Sequence, residues 1–199
     1  MEMRMISNRI SGRGIMDPER VIEWGDATYT ISHVDNAPNP YRAYPRLSTI
    51  NLIYSDDEWY RKPSFTDIES LKTFQEEHAC SMLLIDDNLL LTEPDCVGEG
   101  DFELCDEEII GAAYFTYPML REYFNMKEGD LYLGKFSTGR AILWREALDW
   151  VSYMKGDVYR VDTSKNGELI HTETIYRSRN WIEVDIVSQL NRRSYIHLL

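Results

Sequence analysis

Apolar residues recur along this chain at two periods, and the switches between them mark its elements. Thr28–Val34 sets Tyr29, Ile31 and His33 against Thr30, Ser32 and Val34, the period-two pattern of a strand with one buried face. Leu47–Tyr54 repeats it, with Ile50, Leu52 and Tyr54 on one side. Met82–Ile85 and Leu89–Leu91 flank Asp86-Asp87-Asn88 and predict a hairpin or a kinked strand. Ile109–Thr116 is a compact apolar run that predicts a strand, with Pro118 starting a helix to about Tyr123. Val158–Thr163 and Glu168–Tyr176 surround Ser164-Lys165-Asn166-Gly167, where Asn-Gly marks a tight hairpin.

The period near 3.6 appears elsewhere. Leu143, Ala147, Trp150 and Met154 make one stripe, flanked by Trp144, Leu148 and Val151, so a core-facing helix is predicted over 139–154. Ser137 and Thr138 would cap it, and Gly156 would stop it. Thr66 with Glu69 three residues on predicts a capping box and a helix to about Glu77 that buries Ile68, Leu71 and Phe74. Asp17-Pro18, followed by Val21, Ile22 and Trp24, predicts a short helix with proline in its first turn. Trp181 to Leu190 predicts a last one. The run Asn36-Ala37-Pro38-Asn39-Pro40 forces a turn, and residues 92–106 read as a loop. Hairpins mixed with isolated helices predict an α+β fold: a mostly antiparallel sheet with three to five packed helices. Residues 1–15 lack periodicity and read as a mobile arm, leaving 16–199 as a single α+β domain, with two small domains as the other division.

Composition narrows the class. Hydrophobic residues make up 43% and aromatics 12%, enough for a core without metal or disulfide staples. Cys80, Cys96 and Cys105 match no disulfide framework and suggest free thiols in a reducing compartment. The start MEMRMISNRI has no apolar run of a signal peptide, and no stretch approaches the ~20 apolar residues of a membrane span. A cytoplasmic protein is expected.

Charge changes the picture most. The net charge is −13, and residues 73–120 contain twelve carboxylates and no lysine or arginine. The flanking stretches nearly balance, with eleven acids and nine bases over 1–72 and eleven acids and twelve bases over 121–199. Such a chain is repelled by nucleic acid and anionic lipid. Arg177 with Arg179, and Arg192 with Arg193, make only a weak basic patch. The expected partner-binding residues are Asp86, Asp87, Glu93, Asp95, Glu99, Asp101, Glu103, Asp106, Glu107 and Glu108. A solvated acidic loop and a surface for a basic partner both fit them. In an extended chain Glu99, Asp101 and Glu103 would lie about 6.6 Å apart, against a charge every ~1.7 Å along duplex DNA. Mimicry of nucleic acid would therefore need the fold to gather further carboxylates.

Other chemistry is thinner. His78, Cys80, Cys96 and Cys105 lack the close paired spacing of zinc sites, and Asp95–Glu108 lacks the alternation of an EF-hand. Gly134 and Gly139 are spaced like a phosphate loop, but Arg140 and Ala141 follow where Lys and Ser/Thr are needed, so a turn into a capped helix is expected. His171 and Glu173 are spaced to share one face of a strand as acid and base, though same-face polar pairs are commoner as plain surface on an exposed strand. No catalytic elbow, cofactor motif or metal site is expected, and the sequence assigns no cofactor and no catalytic residue.

Several blocks resemble a family of uncharacterised phage and mobile-element proteins. They are DNAPNPYR at 35–42, Leu47-Ser48-Thr49, LLIDDN at 83–88, IIGAAYFTYPMLREYF at 109–124, YMKGDVYRV at 153–161 and NGELIHTET at 166–174. In that family a helix ends in a Tyr-Leu-Thr-Gly-Asp-Val-Tyr-like segment, followed by a strand, a Gly-Glu turn and an aromatic-rich ending. The chain departs from it at EPDCVGEGDFELCDEE, which replaces a polar, tryptophan-containing stretch, and at ETIYRSRNW, which replaces a Cys-Trp-Gly-Phe-like ending. The resemblance implies a viral or mobile-element origin. By analogy with small acidic phage proteins, the expected function is non-enzymatic inhibition of a host defence complex, of CRISPR or restriction type. The acidic surface would occupy a basic nucleic-acid-binding site on a host protein. The alternatives are an enzyme acting on a nucleotide or nucleic acid, with His171 and Glu173 in its pocket, and a structural or regulatory phage component that assembles with itself, as in a homodimer.

Overall fold

A computed structural model describes residues 3–9, 19–43, 45–53, 67–94, 109–127, 130 and 132–196. The fold is α+β, as the alternation of patterns implies. Its contacts form two compact units: residues 1–39 with 152–199, and residues 40–151. The second unit interrupts the first in sequence.

The first unit is built on five antiparallel strands in the order β1 (Met3–Arg9), β2 (Glu19–Trp24), β3 (Ala27–His33), β8 (Val158–Lys165) and β9 (Glu168–Tyr176). Residues 3–9, inside the stretch expected to be an arm, pair with β2. Residues 19–24, expected to be helical, form β2 itself. The helix reading took Asp17-Pro18 as a cap, but Ile22 and Trp24 share a strand face, and Gly25 at φ +60° turns the chain straight into β3. The β8–β9 hairpin turns at Asn166 and Gly167, φ +51° and +82°, a conformation that favours this pair. Register aligns Ile22, Tyr29, Thr163 and His171 across four strands, and Ile31, Val161 and Glu173 in the next row. Helix α5 (Arg179–Ile196) lies on this face, where Ile22, Ile31, Tyr159, Val161, Ile182 and Leu190 form a core. The other face carries Arg160, Asp162 and Thr172, which bond to one another at the surface.

The second unit contains a four-stranded antiparallel sheet in the order β4 (Thr49–Leu52), β7 (Ile109–Thr116), β5 (Ala79–Asp86), β6 (Leu91–Thr92). The short helix α1 (Pro40–Ala43) precedes it. Both faces are covered. Leu83, Ile85, Ala113 and Phe115 face the core with α3 (Tyr117–Tyr123) and α4 (Leu133–Met154), which bring Leu120, Leu143, Ala147 and Trp150. Met82, Leu84, Ala112 and Tyr114 point the other way, to Leu71 and Phe74 of α2 (Ile68–Glu77). Double burial explains why β7 reads as a continuous apolar run. The cap of α2 is Asp67 with Ser70, one residue beyond the expected Thr66 and Glu69. Helix α4 starts six residues before the expected 139: Gly134 and Gly139 are both helical, and the Thr138 hydroxyl donates back to the Gly134 carbonyl at 2.9 Å rather than capping. Among the described residues no helix is long and apolar enough to cross a membrane.

Candidate functional site

The expected carboxylate surface falls partly inside the described residues. Asp86 ends β5, and its Oδ1 accepts the Leu90 amide at 2.7 Å, fixing the hairpin turn in which Leu89 has φ +58°. Asp87 is exposed at the tip beside Asn88, whose amide it accepts at 2.7 Å. Glu93 behaves differently. Its carboxylate accepts from Trp144 Nε1 at 2.8 Å and Arg140 Nη2 at 2.7 Å, both on α4. The Trp144 hydrogen bond, then that from Arg140, holds the Glu93 carboxyl below the usual glutamate value. Glu93 is therefore tied to its own scaffold, while Asp87 faces outward. Asp95, Glu99, Asp101, Glu103, Asp106, Glu107 and Glu108 lie outside the described residues, as do Cys96 and Cys105.

Division into units sharpens the charge pattern. Residues 40–151 hold 22 acids and 10 bases, a net of −12, while 1–39 with 152–199 hold 12 acids and 11 bases, a net of −1. Glu76 and Glu77 add exposed carboxylates in the last turn of α2, which has no basic residue there. The helix dipole disfavours acids at that end.

A second feature belongs to the nearly neutral unit. Between α5 and the sheet face opens a cleft of about 1070 Å³. Trp24, Tyr29, Val161, Ile175, Ile182 and Ile186 give it an apolar floor, and Asp26, Lys165, His171, Glu173 and Asp185 line it with polar groups. The expected pair, His171 and Glu173, does share this face, 3.9 Å apart. At 61% and 53% side-chain exposure neither is desolvated. Lys165 pairs with Asp26 at 3.5 Å, and Asp185 with Arg177. Arg177 also lies over the Trp181 ring, and Arg179 meets Glu183 at 3.7 Å, so this basic pair is matched by acids.

Sequence reasoning missed the most buried acid. Glu146, 1% exposed, sits on the core face of α4 and accepts the Leu47 amide at 3.1 Å, the Ser48 amide at 2.9 Å and the Ser48 hydroxyl at 2.6 Å. Tyr41 Oη joins Ser48 Oγ at 2.8 Å, and burial pushes the Tyr41 phenol far up. Arg46 reaches Asp149 one turn along at 2.9 Å, while burial raises the Asp149 carboxyl. With Glu146 and Ser48 both buried, this chain of groups fastens the segment before β4 to α4. The available signal was Glu146 lying between Leu143 and Trp150 on the apolar stripe. Missed cleft residues such as Trp24 and Asp26 depended on the β2–β3 hairpin, for which Gly25-Asp26 between two apolar runs was the signal. Among the described residues, no group of three or more His, Cys, Asp or Glu side chains is placed to hold a metal.

Fold and surfaces together define an α+β protein with an acidic unit and a nearly neutral, clefted one. No protein-family model, curated protein or solved structure matches the chain.

Proposed function

We propose that the protein is a phage-encoded, non-enzymatic inhibitor of a host defence complex, and that its acidic unit occupies a basic nucleic-acid-binding surface on that target. The observation carrying this reading is the confinement of −12 of the −13 charge to residues 40–151. Charge kept together against its own repulsion suits a partner of opposite sign. Asp87 at the β5–β6 tip and Glu76 and Glu77 on α2 are exposed members of that set. Docking of this kind associates fast and weakens with salt, because the Debye length is only about 8 Å at physiological ionic strength.

The test is plaquing of a targeted phage on cells that carry a defined CRISPR or restriction system and express the protein. Wild type should raise plaquing by orders of magnitude. Lysine replacements at Asp87, Asp101, Glu103, Asp106 and Glu107 should remove the effect without changing the thermal melt. Full protection by the variant, or none by wild type against any system tried, refutes the reading. A specific observation also favours the enzymatic alternative: His171, Glu173 and Tyr29 line one cleft. If that reading is right, His171→Ala abolishes the effect and the lysine variant keeps it.

A further inference from the structure

β9 ends the five-stranded sheet, with β8 as its one partner among the described residues. Its first six residues, Glu168 to Glu173, are all exposed, and Leu169 and Ile170 are 59% and 60% exposed. Long exposed edges with apolar side chains invite another strand, and soluble proteins normally blunt them. Here the blunting is slight. One bulge lies where Thr163 pairs with His171 and Ser164 with Leu169, leaving Ile170 without a counterpart of its own.

The strand is complementary to itself. A twofold axis normal to a sheet keeps each residue on its own face, so an antiparallel copy of β9 must pair in a residue-centred register. The midpoint of Glu168–Tyr176 is Thr172. Centring there sets Thr172 against Thr172 and His171 against the second copy's Glu173, twice. Centring one residue either way would oppose His171 to His171 or Glu173 to Glu173. Beyond the centre the bulge brings Leu169 opposite Thr174, on the face they share. Threonine pairs and opposite-charge pairs are favourable cross-strand neighbours, and like charges are not.

We propose that β9 is a self-association edge, by which two copies of this chain join their sheets antiparallel about Thr172. Because His171 and Glu173 line the cleft, the two clefts then abut on one face of a ten-stranded sheet. The surface lies in the nearly neutral unit and uses no residue of the acidic unit 40–151, so it stands or falls independently of the function proposed above.

Sedimentation velocity on the full chain across a wide concentration series tests it. The expected result is a rise from the 23.4 kDa chain mass to twice that value. His171→Glu, which faces glutamate with glutamate, should weaken the dimer about tenfold. The double exchange His171→Glu with Glu173→His should restore it, because the exchanged residues meet again in the same register. Thr172→Lys, which sets two lysines face to face, should give monomer, with circular dichroism confirming the fold. If that variant fails to fold, the exchange pair alone decides. A wild type that stays monomeric throughout overturns the proposal, as does a dimer indifferent to His171→Glu.

Discussion

Replacing Glu146 by glutamine tests whether the second unit depends on its buried acid. The native carboxylate meets three donors: the amides of Leu47 and Ser48 and the Ser48 hydroxyl. Glutamine keeps one acceptor oxygen and presents an NH₂ where the other stood. One backbone amide then loses its acceptor, inside a site where the acid is 1% exposed. A buried donor left without a partner costs about 1–3 kcal/mol, and losing the charge-assisted bond adds to that, so Glu146→Gln should cost about 2–4 kcal/mol. Glu146→Ala orphans both amides and opens a cavity, for about 3–5 kcal/mol. Urea unfolding followed by tryptophan fluorescence suits the measurement, because Trp150 lies fully buried one turn along the same helix. For a chain of this size each kcal/mol moves the midpoint of thermal unfolding by about 2–4 °C. Pairing Glu146→Gln with Ser48→Ala in a double-mutant cycle should give a coupling of about 1 kcal/mol or more. A Glu146→Gln protein within about 0.5 kcal/mol of wild type, the range of an ordinary surface change, would refute the account.

Two further outcomes follow from the same geometry. Gly111→Ala should destabilise more than Gly139→Ala in urea unfolding, though both are buried. A methyl at 111 meets the Asn51 carbonyl oxygen at 2.5 Å and Leu52 Cα at 2.9 Å, so backbone must move, whereas at 139 it meets side-chain atoms of Leu120 and Phe115 at 2.9 and 3.1 Å and gains helix propensity. Overpacking costs about 1–3 kcal/mol, and Gly111→Ala belongs at the upper end; equal losses would contradict the argument. Glu93→Gln should matter less as pH falls. Because the native Glu93 carboxyl titrates below its unfolded value, its contribution is complete above the unfolded pKa of about 4.3 and fades as pH drops through the lower folded value. Thermal midpoints of wild type and variant should therefore differ at neutral pH and converge in acid, and a pH-independent gap would contradict the assignment.

The legible parts of this fold were those where local and tertiary preferences agree. β7 was readable to its last residue because both faces of Ile109–Thr116 are buried. Asn166-Gly167 announced the β8–β9 turn because both residues take positive φ. The failures have equally local causes. At Asp17-Pro18 helix-start chemistry outweighed the Gly25-Asp26 turn, so β2 was lost, and with it the wall of the cleft formed by Trp24. Ser137 and Thr138 resemble caps, yet they lie inside α4 because the first turn at Leu133–Phe136 continues into them. The bulge at Ile170 left no mark in the sequence, since it depends on how β9 meets β8. The His171–Glu173 pairing was legible from spacing alone, but the floor beneath it was not, because that floor comes from both ends of the chain.

The described acids also bear on whether the charge is incidental. Glu93 supports its own scaffold through Arg140 and Trp144, and Asp86 supports a turn, so each has a local reason to be acidic. Glu76 and Glu77 sit where the helix dipole opposes them, with no basic residue in that turn, and Glu77 meets the exposed His78 at the helix C-cap at 3.5 Å. Asp87 lies exposed at the tip of the same turn, where it accepts the Asn88 side-chain amide. Local stability thus accounts for some of these acids and argues against others. A segment neutral in net effect could have kept Glu93 and Asp86 alone. The surplus that remains is a standing cost to the unit that carries it, and the basic partner proposed above would offset that cost.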